Sequence, residues 1–226
     1  MAAQEDIIRD AVRLLAERCP RLVSLCYWAG TSAIAGEDLR HRQSFDLDFH
    51  TCKALQDVRP ILAEIQKTFA KNFEIVQVPD EYGSAFQGVL RLPGGERITI
   101  EVRANYEDVP DSDLVFSRAA ARMRRVSVSK YLADKIQCVV ERAEARDLVD
   151  IFALLKKHPD MEEKAKALLA EQDAVTLAER LLAWTDNALE KDLAAYADVR
   201  FADAAIARDR LLAWVKAAAG KAGAGG

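Results

Sequence analysis

With 226 residues, half of them hydrophobic, the chain is long enough for one large domain or two small ones around a sizeable core. Charged residues make up 30%, yet the formal net charge is only −4. That excludes a global basic field for nucleic acid, so any contact with RNA or DNA needs a local basic patch.

The chain starts MAAQEDIIRDAVRLL, with acidic residues where a secretory signal has a basic start. No apolar run nears the roughly 20 residues of a membrane span. Residues 4–18 place Ile7, Ile8, Val12, Leu14 and Leu15 at near-helical spacing, and Pro20 marks the stop. A strand is expected over 22–28, then a small-residue turn at Ala29-Gly30-Thr31-Ser32 and a short helix. The stretch RHRQSFDLDFHT alternates Phe45, Leu47 and Phe49 with Ser44, Asp46, Asp48 and His50, which predicts a strand with one apolar face. A helix follows over about 54–71, then strands over 73–78 and 85–92. The hairpin signal LPGGE leads into RITIEVR, a third clean alternation. From about residue 127 alanine, leucine, lysine and glutamate dominate, and the periodicity predicts four or five helices. The expected division is a mixed domain over 1–120, a helical domain over 121–217 and a flexible tail over 218–226. Cys19, Cys26, Cys52 and Cys138 lack a Cys-x-x-Cys pair, which points to buried thiols of a cytoplasmic protein.

Asp46 and Asp48 share one face of their strand, with Cα atoms about 6.5–7 Å apart. Carboxylates so placed can share divalent cations that neutralise their repulsion. Two metal ions about 3.5–4 Å apart activate an attacking oxygen and stabilise a leaving one in phosphoryl or nucleotidyl transfer. Magnesium suits such a pair, because it takes one or two carboxylates and completes its shell with phosphate and water. A solvated strand face is the competing explanation. Gly30-Thr31-Ser32 is a candidate phosphate turn, its glycine letting the backbone come close to the anion, or else an ordinary helix cap. Glu101 faces away from Ile100 and Val102, as a third metal ligand or half of a cross-strand charge pair. If KIQCVVERAEARDLVD is one helix, Lys135, Arg142, Arg146 and Asp150 fall within roughly a quarter of its circumference, with Asp147 beside them. That face either holds triphosphate oxygens or is a salt-bridged helix surface.

The segment YWAGTSAIAGEDLRHRQSFDLDFHT resembles the first motif of the AbiEii/AbiGii-type nucleotidyltransferases, of the DNA polymerase β-like superfamily. That motif is a Gly-Gly-Thr turn, a short helix and His-Arg-x-Ser-x-Asp-Leu-Asp-Phe. Gly30 and Thr31 match the turn, and His41, Arg42, Ser44, Asp46, Leu47, Asp48 and Phe49 match the second part. Downstream, ADKIQCVVERAEARDLVDIFALL is similar to the second signature, in which lysine and arginine precede Arg-Asp-x-x-Asp. Lys135, Arg142, Arg146, Asp147 and Asp150 occupy those positions. The likeness is close over about 25–50 and 128–155. Ala29 stands where the first glycine is usual, the run from Thr31 to Asp46 is about two residues longer, and Gly36 interrupts the helix.

The resemblance implies an α+β fold: a small mixed nucleotidyltransferase sheet flanked by helices, then a helical domain, with the site in the cleft between them. It implies Asp46 and Asp48 as ligands of two magnesium ions, and Gly30, Thr31 and Ser32 as the phosphate turn. Lys135 would contact the triphosphate, Arg142 and Arg146 would help bind the nucleotide, and Asp147 or Asp150 would complete the polar network. Glu101 is added as a third metal ligand on its alternation alone. Family members are toxins of toxin–antitoxin and phage-defence systems with a separate antitoxin protein, and some transfer a nucleotide from an NTP to tRNA.

The leading expectation is therefore magnesium-dependent transfer of a nucleoside monophosphate from an NTP to a hydroxyl acceptor, with a tRNA 3′ end among the candidates. A nucleotide-binding sensor without chemistry is the alternative. A metal-dependent phosphodiesterase explains the aspartates but not the lysine and the glycine turn. His41 fits the motif and His50 is taken as incidental. The basic run SRAAARMRR is expected to be a solvated linker, with an RNA contact as the second option. Trp184 and Trp214 are expected to pack between helices, with an exposed aromatic patch for a partner protein as the second option.

Overall fold

The computed structural model describes residues 2–142 and 144–223. The chain forms two compact units, Met1–Ser127 and Val128–Gly226. No helix among the described residues is long and apolar enough to cross a membrane.

In the first unit, helix α1 (Ala2–Arg18) repeats Ile8, Ala11, Val12 and Leu15 at helical spacing and buries them against the sheet. The stretch expected to begin a strand at Leu22 is instead a short helix, α2 (Pro20–Leu25). Proline is suited to a first turn, where its missing N–H costs nothing. The Glu64 carboxylate accepts hydrogen bonds from the Arg21 and Leu22 main-chain N–H groups, at 3.0 and 3.1 Å, and so caps the helix from a distant segment. Strand β1 (Cys26–Ala29) follows, wholly buried. Helix α3 (Gly30–Ile34) runs into a π-helical turn, Ala35–Leu39, closed by Arg40 N–H donating to Ala35 O at 2.9 Å. The wider turn takes up extra chain between the glycine turn and the aspartates, which is where the sequence is longer than the motif it resembles.

Strand β2 (Asp46–Ala54) is followed by helix α4 (Arg59–Phe69), then β3 (Phe73–Gln77), β4 (Ala85–Arg91) and β5 (Arg97–Asn105). Two short strands that the sequence did not announce, β6 (Leu114–Phe116) and β7 (Arg124–Val126), extend the sheet. The order is β3-β4-β5-β2-β1-β7-β6, with β2 parallel to β5 and antiparallel to β1. Leu47, Phe49, Ile98, Ile100 and Val102 point into the core. Phe45 does not: it lies before the strand and is 61% exposed, so the apolar face begins at Leu47.

In the run SRAAARMRR three of the four arginines are ion-paired, while Arg118 and Arg122 stay exposed. Arg125 is buried and pairs with Glu37 at 2.9 Å and Asp38 at 2.8 Å, Arg118 pairs with the same two carboxylates, and Arg124 pairs with Asp111 at 2.7 Å. The Arg125 pairs fasten β7 to the π-helical turn, and Arg124 ties the same strand to Asp111.

The second unit is helical: α5 (Val128–Glu141), α6 (Ala145–Lys157), α7 (Glu162–Ala170), α8 (Ala174–Ala183), α9 (Asp186–Leu193) and α10 (Phe201–Gly223). That is six α-helices among the described residues, because Asp173 and Thr185 each cap a new start within an alanine-rich run. Helix α10 packs on α6 to α9 through Ala204, Ala207, Leu211 and Val215. It continues to Gly223, into the segment for which composition predicts a tail, since alanine favours a helix strongly. Residues 224–226 lie outside the described residues. All four thiols are free, and burial pushes Cys19 up to about 12.

The Glu37 carboxyl is held below its ordinary 4.5: burial works to raise it, but hydrogen bonds from Arg118 N, Ser117 Oγ and Ala119 N, with the Arg125 charge, outweigh that. A carboxyl lowered by folding adds stability above its ordinary value and loses it as pH falls through the folded value. Urea midpoints measured between pH 7 and 3 should therefore fall below about pH 4.5. Glu37→Gln, which leaves Arg125 buried without this partner, should cost about 3–5 kcal/mol at pH 7 and remove part of that acid dependence. An unchanged acid limb in the variant would refute this account.

Candidate active site

The period of two along β2 puts Leu47 and Phe49 in the core and Asp46 and Asp48 on the opposite face. Asp48 lies in register between Ala29 of β1 and Glu101 of β5, and Asp46 beside Thr99. Gly30 has φ +69, and a Cβ built on it would sit 2.2 Å from Asp48 Oδ2. Only glycine lets the backbone pass so close to that carboxylate in that conformation. Ala29, by contrast, is extended at φ −107, which any residue adopts. The glycine retained is the one the geometry requires.

Three hydrogen bonds fix the rest of this segment. Ser44 Oγ donates to Asp46 Oδ1 at 2.9 Å and aims the more exposed carboxylate. The buried Arg42 Nη2 donates to Thr31 Oγ1 at 2.8 Å, and the buried indole of Trp28 donates to Ser32 Oγ at 2.9 Å. The Thr31 and Ser32 hydroxyl oxygens thus serve to hold the turn. Sequence reasoning matched Arg42 and Ser44 to a motif but gave them no task, and it did not single out Trp28 for the site. Glu101 shares the face of the aspartates, and its carboxylate pairs with Arg103, two residues along the same strand. Among the described residues no three His, Cys, Asp or Glu side chains converge as a metal cluster. Asp46 and Asp48 place two hard carboxylate donors on this face, of the kind magnesium takes.

The second predicted group lies within the helical unit. It is not one helix: α5 ends at Glu141, and α6 starts at Ala145, whose N–H is accepted by Asp192 Oδ2 at 2.9 Å. The reversal folds the cations back on the acids. Lys135 Nζ lies 2.7 Å from both Asp147 Oδ1 and Asp150 Oδ2. Arg142 Nε donates to Asp147 Oδ2 at 3.0 Å and its Nη2 to Oδ1 at 3.1 Å. Asp147 and Asp150 are fully buried and Lys135 nearly so. Burial alone would lower the Lys135 ammonium, but Tyr131, Asp150 and Asp147 raise it overall. The hydrogen bond to Asp147 likewise raises Arg142. Arg146 stands apart from this knot, paired with Glu144 at 2.6 Å. Two cations against two carboxylates leave the centre electrically neutral.

A mixed sheet that presents paired carboxylates behind a glycine turn, with a helical unit after it, is the arrangement of a nucleotidyltransferase. Solved structures share the fold. JHP933 from Helicobacter pylori is 17% identical, with TM-score 0.57 over 99% of this chain and 96% of that one. A nucleotidyltransferase-named structure from H. pylori is 18% identical, with TM-score 0.52 over 91% and 96%. MenT4, a nucleotidyltransferase toxin from Mycobacterium tuberculosis, is 15% identical, with TM-score 0.51 over 94% and 84%. No curated protein matches the chain. The family model described as nucleotidyl transferase AbiEii toxin of a type IV toxin–antitoxin system matches residues 30–218, so the chain belongs to the AbiEii nucleotidyltransferase toxin family. Membership carries nucleotidyltransferase activity, an NTP substrate and an antitoxin in the same system.

Two substitutions test these centres. Gly30→Ala should cut nucleotidyl transfer at least about tenfold by displacing Asp48, and cost about 1–2 kcal/mol from its left-handed backbone, measured by product formation and urea unfolding. Wild-type activity in that variant would remove Gly30 from the site. Lys135→Met should destabilise the helical unit by about 3–5 kcal/mol in urea titrations followed by circular dichroism, because two buried carboxylates lose their shared cation. A loss under 1 kcal/mol would contradict the ion-pair role.

Proposed function

We propose that the chain moves a nucleoside monophosphate from an NTP to a hydroxyl acceptor in the presence of magnesium, with the 3′ end of a tRNA as the acceptor. The reading rests on one observation above all: Asp46 and Asp48 share a strand face, one aimed by Ser44 and the other approached by the backbone of Gly30.

In this reading the acceptor oxygen forms a bond to the α-phosphorus, the α–β bridge breaks, and pyrophosphate leaves with the bonding electron pair while the hydroxyl proton passes to solvent. Asp46 and Asp48 would hold magnesium, which would supply Lewis-acid stabilisation of phosphate charge. Gly30, Thr31 and Ser32 receive phosphate oxygens at main-chain N–H groups, on a turn that Arg42 and Trp28 hold through the two hydroxyl oxygens. Lys135 meets the triphosphate by exchanging one of its two carboxylate partners for a phosphate oxygen, while Asp147 stays held by Arg142. Arg142 and Arg146 add positive charge for the nucleotide, and Asp150 receives Lys135 back after release. Glu101 would serve as a third ligand only at the expense of its pair with Arg103.

Incubation with each α-labelled NTP, magnesium and total tRNA, beside Asp46→Asn, tests the proposal. Labelled RNA is expected from wild type, with at least about a hundredfold less from the variant. The variant should unfold within about 0.5 kcal/mol of wild type, because Asp46 is exposed. NTP binding without any product would favour the sensor; undiminished labelling by Asp46→Asn would refute the site.

A further inference from the structure

The helical unit has a pocket of about 360 Å³, lined by Val139, Glu141, Arg142, Arg180, Trp184 and two alanines, of which the transfer reading uses only Arg142. Trp184, expected to pack between helices, instead keeps part of its surface open at this pocket. Its backbone is pinned on both sides. The Trp184 carbonyl accepts from Arg208 Nη1 at 2.6 Å, and Thr185 Oγ1 accepts from Ala188 N–H at 3.3 Å to cap α9. Arg208 also pairs with Asp186 at 2.8 Å. The two-residue link between α8 and α9 therefore presents the indole from a fixed frame. Arg180 is exposed and makes no ion pair among the described residues, whereas Arg142 shares its charge with Asp147.

We infer that this pocket is a subsite for one unpaired nucleotide of an RNA acceptor, its base stacked on Trp184 and its phosphodiester held by Arg180 and Arg142. Aromatic faces accept any base, and guanidinium groups beside them hold the backbone. The volume is at the small end for ligand sites, enough for one nucleotide. The charge also selects the source. Arg180 brings a whole positive charge and Arg142 one it shares with Asp147, against the carboxylate of Glu141, so the pocket carries at most about one positive charge. That complements the single charge of a phosphodiester better than the several charges of a triphosphate. The inference rests on the nucleotidyl-transfer reading for the identity of the strand, but the subsite can be tested without chemistry.

The test measures binding of the full-length protein to a fluorescein-labelled single-stranded RNA hexamer by anisotropy, and to each NTP by calorimetry. Trp184→Ala should weaken RNA binding about tenfold, and Trp184→Phe should restore most of it. Arg180→Gln should reduce the slope of log affinity against log salt by about 0.7, one phosphate contact on a single strand. NTP affinity should stay within about twofold in all three, and circular dichroism should show unchanged helix content. Unaltered RNA affinity in Trp184→Ala and Arg180→Gln, or no RNA binding by wild type, would overturn the subsite. A fall in NTP affinity instead of RNA affinity would overturn it in favour of the NTP. Asp46→Asn should bind the hexamer as wild type does. Trp184-dependent binding in a protein that never labels RNA would leave the subsite standing and the transfer reading refuted.

Discussion

Two carboxylates on one strand face repel each other, and a strand holds them together only if its other face is anchored firmly enough to resist. In β2 that anchor is Leu47 and Phe49, both fully buried, with β1 and β5 hydrogen-bonded on either side. Most of the first unit follows from the demand. A central strand flanked by neighbours cannot slip by one residue without sending its apolar set to solvent, so the register that fixes the core also fixes the carboxylates. Gly30 then brings the chain back across Asp48 at a distance that excludes any side chain.

Around that strand the polar side chains act in series. Trp28 holds Ser32, Arg42 holds Thr31, and Ser44 holds Asp46, so that each element next to the site is tied by a group from another part of the motif. The motif is thus a bonding pattern as well as a list of ligands. The buried Glu37–Arg125 pair continues the pattern outward, fastening the π-helical turn to β7.

The helical unit solves a different electrostatic problem. Lys135 faces Asp147 and Asp150 in a nearly dry centre, with the more exposed Arg142 reaching Asp147 from its rim, and unpaired charge inside it would be far costlier than in water. Neutrality makes the centre stable, and any anion would have to compete with a carboxylate for Lys135. Positive charge left over is found instead at the open pocket beside Trp184, where Arg180 has no partner among the described residues.

Local pattern determined much of this protein. Alternation placed Asp46, Asp48 and Glu101 on strand faces, helical periodicity marked the second half as helical, and the order of the two motifs pointed to the family to which the chain belongs. Such features are legible because a period of two or 3.6 is written into consecutive residues. The rest depends on partners far apart in the chain. The α2 helix is capped by Glu64, some forty residues on, and the break between α5 and α6 is satisfied by Asp192. The basic run near 120 became an ion-paired strand because Glu37 and Asp38 meet it there. Pairings of that kind leave no local period, and they arise only when the folded chain brings each charge and each unpaired N–H to a group that satisfies it.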